Sequence, residues 1–250
     1  MKCKNCQTPV SGNYCVNCGQ RTDVGRITGS SILSLISEGL FQVNKGLFFT
    51  ILSIFRRPGH SIREYIEGQR QPYFKPVAFV MLLATIYVIL SRWLEIPTFT
   101  ENLIVGYLLG VEENGNQQEM MEAQPIVNWL TGNLAYSIIV TIPMFSLATF
   151  IAFYKQKFNY FEHLILNAYL AGYHALLYTI QLLLQAALGR ELEILSAVPL
   201  FLSIGYRLWA YLQFFSGKKW WYTVAYTLLA YLLFFFTIGL ALFLVAIVIT

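Results

Sequence analysis

Five long stretches of almost uncharged, apolar sequence constrain this chain more than any other feature. Apolar residues make up 56% of the sequence and charged residues 12%, about half the charge of an ordinary soluble domain. About 20 helical residues cross a hydrocarbon core, and the runs of this length lie at about 74–93, 126–154, 163–188, 195–215 and 220–249. The sequence therefore predicts an all-α polytopic membrane protein with five transmembrane helices, in a domain that covers residues 73–250.

The loops between these runs alternate in charge, which predicts the orientation of the chain. Basic residues are concentrated before the first run and in the loops at Lys155 and Lys157 and at Lys218 and Lys219, whereas residues 92–127 carry six glutamates. Loops rich in Lys and Arg stay cytoplasmic. The first 20 residues also lack the apolar core of a secretion signal. We therefore expect a cytoplasmic N-terminus and a C-terminus outside.

Residues 23–72 predict helices that lie along the membrane surface. Apolar residues recur at helical spacing from Ser30 to Phe55, whereas Glu38, Asn44 and Lys45 lie mainly on the other face. This pattern indicates one amphipathic helix in the interface and not a sixth span. A short helix follows between Pro58 and Gly68, because proline suits a first helical turn and glycine a helix end.

A cluster of cations surrounds this short helix and the entry to the first span. Each cation can gain about 1 kcal/mol beside anionic lipid. The cluster is either ordinary topology-setting charge or a binding site for a lipid headgroup or an acidic partner. Its members are Arg56, Arg57, Arg63, Arg70 and Lys75.

All four cysteines lie within the first 18 residues, in two Cys-x-x-Cys pairs. Four thiolates at this spacing favour one tetrahedral Zn²⁺ ion in a closed, structural site. A single iron, a redox dithiol or a disordered tail are the alternatives. We predict a zinc ribbon over residues 1–22, in which Gly12 and Gly19 supply the positive φ angles of the turns. The predicted ligands are Cys3, Cys6, Cys15 and Cys18.

Several polar residues interrupt the third and fourth predicted spans. Asn167, His174 and Gln181 recur every seven residues, so they form one stripe on a helix. The stripe either makes interhelical hydrogen bonds or forms a path for protons or polar solutes around His174. Arg207 lies too deep to reach the membrane surface fully, so it either pairs within the bundle or binds a substrate or lipid headgroup.

No catalytic motif accompanies these residues. The sequence lacks His-Glu-x-x-His, Gly-x-Ser-x-Gly, a phosphate-binding loop and paired carboxylates within the spans. We therefore expect a protein with no catalytic residues and no enzymatic activity. Nucleic acid is not an expected partner.

The stretches CKNC, YCVNCGQR and RRPGHSIREYIEGQRQPYFKPVAFVML resemble the bacterial domain-of-unknown-function family 3667 over about the first 85 residues. That family pairs a zinc ribbon with a multi-pass membrane domain and has no assigned activity, so the resemblance implies an architecture and a bacterial inner membrane, but no chemistry. The matching positions are Arg57, Pro58, Gly59, Arg63, Tyr65, Ile66, Gly68, Arg70, Tyr73 and Pro76.

Two functions are compatible with these features. The sequence favours the first, a non-enzymatic inner-membrane scaffold or regulator, whose cytosolic zinc ribbon docks a protein partner while the basic helices contact anionic lipid. The second is a small transporter or lipid-handling protein that uses the polar stripe and Arg207. A polar cavity that reaches His174 or Arg207 would favour the second function, and a tightly packed interior the first.

Overall fold

The computed structural model describes residues 1–39, 46–98, 134–188, 194–217 and 219–249. Within these ranges the regular structure is helical, apart from two isolated β-bridges near the N-terminus. A turn of 3₁₀-helix lies at Tyr154–Gln156. The α-helices are α1 (Gly29–Gly39), α2 (Gly46–Arg56), α3 (Pro58–Glu67), α4 (Pro76–Leu94), α5 (Leu134–Ala152), α6 (Tyr160–Leu188), α7 (Ile194–Phe214) and α8 (Trp220–Ile249).

The prediction of an all-α chain is confirmed for the described ranges. Two of their helices are long and apolar enough to cross a membrane: α4, with mean hydropathy 2.0, and the Trp220–Leu240 part of α8, with mean hydropathy 1.9. These two helices favour association with a membrane. Five spans remain a prediction, and residues 126–133 of the second span lie outside the described residues.

Helix α6 is long enough to cross a bilayer but is not one of these two apolar helices. Its sequence carries Asn167, His174 and Gln181, the stripe that the sequence pattern identified. Asn167 and Gln181 are buried within the fold. The polar residues of α6 therefore face neighbouring helices, as residues of this type do in membrane bundles.

Helix α6 lies at the centre of the bundle and packs against α4, α5 and α7, while α8 covers α5 and α7. Large buried side chains fill the spaces between these helices, among them Phe79 on α4, Tyr169 on α6 and Tyr211 on α7. The short helix α3 packs across α7. The segment before the first predicted span is therefore part of the bundle's structure.

The predicted surface helix at residues 30–55 corresponds to α1 and α2, and residues 40–45 between them lie outside the described residues. Helix α2 buries Thr50 and Ile54 against the rest of the fold. Its opposite face exposes Phe48, Leu52 and Phe55, which are 82%, 48% and 58% exposed. An apolar outer face of this kind is typical of a helix at a lipid interface.

The predicted short helix between Pro58 and Gly68 is confirmed as α3. Pro58 occupies its first turn, and Gly68 ends it in the left-handed conformation at φ 117°. The Gly68 N–H donates to the Glu64 and Tyr65 carbonyl oxygens, which closes the last turn.

Candidate metal site and polar cavity

The four cysteines converge on one point. Their sulfur atoms all lie within 4.8 Å of one another. The Cys3 and Cys18 sulfurs are 3.6 Å apart and the Cys6 and Cys15 sulfurs 3.4 Å apart. Tetrahedral coordination with metal–sulfur bonds of about 2.3 Å places sulfurs about 3.8 Å apart. The four cysteines can therefore hold a metal ion.

Two similar turns bring the cysteines together. The Gln7 N–H donates to the Cys3 carbonyl oxygen at 3.0 Å, and the Gly19 N–H donates to the Cys15 carbonyl oxygen at 2.8 Å. Gln7 and Gly19 both have positive φ, at 62° and 72°. The prediction for Gly19 is confirmed, but the prediction for Gly12 is wrong: the residue that follows Cys6 takes this conformation, and that residue is Gln7.

The protonation of two of these thiols depends on their position in the turns. Hydrogen bonds from the side chain and backbone of Thr8 lower the pKa of Cys6 to about 6. Burial raises the pKa of Cys18 to about 11. Because thiolates are the metal-binding form, metal binding must release the proton that Cys18 otherwise retains.

The ribbon is docked onto the turn between α3 and α4 by the side chain of Gln20, which is 4% exposed. Its amide nitrogen donates to the Gly68 carbonyl oxygen at 2.8 Å. Its amide oxygen accepts from the backbone N–H groups of Arg70 and Gln71 at 2.9 and 3.0 Å. One side chain thus satisfies three backbone groups of the turn.

The linker after the ribbon is tied to the start of α6. Arg26 forms a two-point ion pair with Glu162, at 2.8 and 2.9 Å. Asn159 and Glu162 also cap α6 reciprocally, because each side chain accepts from the backbone N–H of the other residue. The buried Glu162 therefore holds the linker and the helix end together.

The predicted basic cluster is divided between internal contacts and exposed positions. Arg57 pairs with Glu64 at 2.7 Å, and Arg63 donates to the Ser216 hydroxyl at 2.7 Å. Arg70 donates to the Gly25 and Tyr65 carbonyl oxygens. Arg56 is exposed. Contact with lipid headgroups stays a prediction for this cluster.

Two of these cations also border an open groove. Arg70 and Lys75 line a space of about 920 Å³ between the linker and the turn that precedes α4. Arg21 and Arg26 belong to the same groove, and each is paired with a carboxylate. The groove is basic and lies at the entry to the first predicted span, the position expected for a headgroup contact.

Three of the four predicted intramembrane polar residues meet in one cluster. Arg207 on α7 is 9% exposed, and its guanidinium lies 3.1 Å from His174 Nδ1 and 3.4 Å from Asn167 Oδ1. The Tyr211 hydroxyl donates to the same Asn167 oxygen at 2.8 Å. The Phe145 ring lies 4.3 Å from the guanidinium carbon, a cation–π contact.

A cavity of about 240 Å³ adjoins this cluster. A cavity needs only about 10–15 Å³ to admit a single water. Helices α4 to α8 all contribute to its wall, which includes Asn167, His174 and Arg207. Gln181 is buried but does not line the cavity. Of the three residues in the predicted polar stripe, only Asn167 and His174 therefore belong to this site.

Comparison with known proteins finds a family match in the segment that joins the ribbon to the bundle. Residues 44–88 match the model of DUF3667, a protein family of unknown function. The DUF3667 segment covers α2, α3 and most of α4, and it contains every signature position from Arg57 to Pro76. No curated protein and no solved structure matches the chain.

The structure gives physical reasons for several positions of the DUF3667 signature. A Cβ on Gly59 would collide with the Ala210 carbonyl oxygen of α7. The Tyr73 hydroxyl donates to Glu64 at 2.7 Å, beside the ion pair of Glu64 with Arg57. The signature therefore shapes the junction at which α3, α7 and the ribbon meet.

Some site residues have no signal in the sequence. Gln20 lies two residues after the second cysteine pair but resembles any exposed polar residue, and Phe145 resembles any apolar residue of a span. Their roles depend on residues more than 45 positions away: the α3–α4 turn for Gln20 and Arg207 for Phe145. The Asn-x-x-Glu pattern at Asn159 and Glu162 is a recognisable capping box, and that signal could have located the helix start.

Proposed function

We propose that this chain is a five-span bacterial inner-membrane protein. It binds or transports a small polar solute or a lipid in the cavity that helices α4 to α8 line. The observation that carries this proposal is the convergence of Asn167, His174 and Arg207 on that cavity. Polar residues within spans are costly and typically mark a binding site or pathway. A cavity that reaches them favours solute or lipid handling over a purely scaffolding role.

In this proposal the ribbon binds one structural Zn²⁺ ion through Cys3, Cys6, Cys15 and Cys18 on the cytoplasmic side. Four thiolates and no fifth ligand are the donor set of a closed zinc site. The ribbon's contacts with the α3–α4 turn and the linker's contacts with α6 support a structural role. The proposal includes no enzymatic activity, because the sequence carries none of the catalytic motifs named above.

A cavity-filling variant tests the proposal. We expect native mass spectrometry of the purified protein to show a bound small molecule or lipid that Ala171→Phe abolishes, since Ala171 lines the cavity. Leu183→Phe on the same helix is the matched control, because Leu183 is 48% exposed on the outside of the bundle. Equal ligand occupancy in both variants, with unchanged thermal stability, would contradict the proposal.

A second candidate is the scaffold, in which the ribbon docks a cytosolic protein. The favouring observation is that Val16 and Tyr14, on the ribbon, are 92% and 61% exposed, while Gln20 is turned towards the chain's own α3–α4 turn. Val16→Asp leaves the four cysteines intact. Recovery of the same protein partners by the intact chain, Val16→Asp and Cys15→Ser would rule this candidate out.

A further inference from the structure

Arg207 is a buried cation with no acidic partner among the described residues. The ion pairs found in those ranges involve Arg21, Arg26, Arg57 and Arg63. The polar neighbours of Arg207 are neutral, namely the Asn167 amide and the His174 ring. A guanidinium stays charged at every relevant pH. Such a charge in a bundle interior is costly unless an anion compensates it.

The hydrogen-bonding atoms that remain open in this cluster are both donors. Arginine can only donate, so His174 Nδ1, which lies 3.1 Å from the guanidinium, must be the acceptor. The neutral ring then carries its hydrogen on Nε2. His174 Nε2 and Arg207 Nε are both buried and neither makes a hydrogen bond of good geometry, although the Ser203 carbonyl lies close to the His174 ring. Two unmatched N–H groups and one positive charge call for a ligand that accepts hydrogen bonds and carries negative charge.

The rest of the cavity wall selects against a hydrated metal cation. The Phe145 ring covers one side of the guanidinium, and Phe234 and Ile142 contribute further apolar surface. Within the described ranges no carboxylate lines the wall. The site therefore combines one fixed positive charge with a mostly apolar wall, beside which a charge-assisted hydrogen bond is strong.

We propose that this cavity binds an oxyanion, a carboxylate or a phosphate, which accepts hydrogen bonds from the Arg207 guanidinium and from His174 Nε2. This inference rests on the proposed function and names the class of its ligand. The same chemistry occurs in a free acid and in the headgroup of an anionic lipid. The Asn167 amide oxygen accepts from the Arg207 guanidinium and from the Tyr211 hydroxyl. Asn167 and Tyr211 therefore act as positioning residues for Arg207.

The test uses the full chain in phosphatidylcholine nanodiscs, with sodium acetate and inorganic phosphate as probes and acetamide as the neutral analogue. We expect saturable thermal stabilisation by at least one anion and none by acetamide. Arg207→Gln should weaken the apparent anion affinity at least tenfold, Arg207→Lys less. The matched control is Lys155→Gln, which removes an exposed cation in the turn after α5 and should leave the affinity unchanged.

A lipid arm distinguishes the two sources of the anion. In nanodiscs that contain phosphatidylglycerol, we expect the wild-type chain to retain this lipid in native mass spectra if the ligand is a headgroup, and Arg207→Gln to lose it. Stabilisation by acetate or phosphate in phosphatidylcholine nanodiscs identifies a free anion instead. Either result supports the oxyanion site, and the wild-type titration remains informative if Arg207→Gln fails to fold.

Two outcomes would overturn the inference. The first is that no anion stabilises the wild-type chain and no anionic lipid is retained. The second is that anions act equally on the wild-type chain and on Arg207→Gln. If Ala171→Phe still displaces a neutral ligand in either case, the proposed function stands and only the ligand class is wrong. If Ala171→Phe displaces nothing, the proposed function fails as well.

Discussion

At the scale of single residues, a few side chains decide how the ribbon, α3 and the bundle meet. Gly59 lets α3 approach the backbone of α7, and its N–H donates to the Gln213 side chain at 3.1 Å. Gln20 satisfies three backbone groups of the α3–α4 turn. Neither residue is chemically unusual, so its importance follows from what surrounds it.

Gly59→Ala should destabilise the protein, because the added methyl group collides with backbone atoms of α7, which cannot move aside cheaply. Overpacking of this kind costs about 1–3 kcal/mol, which lowers Tm by several degrees. Gly205→Ala on α7 is the matched control: its Cβ meets nothing within 4 Å, and the change should be neutral or stabilising. Thermal unfolding in detergent measures both, and equal Tm values would show that the helices are not in close contact.

Gln20→Ala should release the ribbon from the α3–α4 turn, because it leaves one carbonyl and two N–H groups without partners. Each buried unsatisfied group costs about 1–3 kcal/mol. We expect faster tryptic cleavage after Arg26 in the linker. Asn13→Ala, a change at an exposed position of the same ribbon, should behave like the wild-type chain. Cleavage of Gln20→Ala at the wild-type rate would argue against docking by Gln20.

At the scale of elements, the ribbon, the linker and α6 form one continuous connection. The ribbon positions Gln20, the linker carries Arg26 to Glu162, and Glu162 caps the helix that bears Asn167 and His174. The ribbon is too small for a hydrophobic core of its own, so we expect its fold to depend on a metal ion bound by the four cysteines. Loss of a bound metal ion should therefore also weaken the contacts of Gln20 and of the linker.

Cys15→Ser should abolish stoichiometric metal binding and reproduce the rapid cleavage after Arg26 expected for Gln20→Ala. The reason is that Gln20 is held in place by the turn that Cys15 and Gly19 close. Atomic emission should find one zinc per wild-type chain and none in Cys15→Ser. Iron in place of zinc would contradict the choice of metal, and intact protection of the linker in Cys15→Ser would contradict the coupling.

At the scale of the whole molecule, the arrangement is a helix bundle with a docked N-terminal ribbon, and two of the described helices are apolar enough to cross a membrane. Helices α4 and α8 have the apolar length of spans, whereas α6 carries polar residues on the faces that meet its neighbours. The buried cluster around Arg207 lies where α5, α6 and α7 come together. The bundle thus brings together polar groups from three helices.

Five spans with a cytoplasmic N-terminus predict that the C-terminus is outside. Alkaline phosphatase, which is active only outside the cytoplasm, should be active when fused after Thr250 and inactive when fused after Lys157. Green fluorescent protein fusions should show the reverse pattern. Active phosphatase after Lys157, or inactive phosphatase after Thr250, would contradict the predicted topology.

Local patterns were sufficient to predict several elements of this protein. The spacing of the cysteines alone indicated a four-thiolate cluster, because each Cys-x-x-Cys turn brings its two sulfurs together and the short segment between the turns keeps the two pairs close. Proline and glycine at the two ends marked α3, since each fits its position by its own backbone geometry. The long uncharged, apolar runs predicted α4 and α8, because hydropathy is a property of each segment by itself.

Only the tertiary structure decided what the polar residues meet. Seven-residue spacing placed Asn167 and His174 on one face of α6, but it could not show that Arg207 joins them across 33 to 40 positions of sequence, or that Gln181 stays apart. Nor could the sequence show that Gln20 docks the ribbon, because that contact joins residues about 50 positions apart. The sequence by itself thus determined several helices and the four-cysteine cluster, which depend on local geometry, while the cavity depends on how distant helices pack.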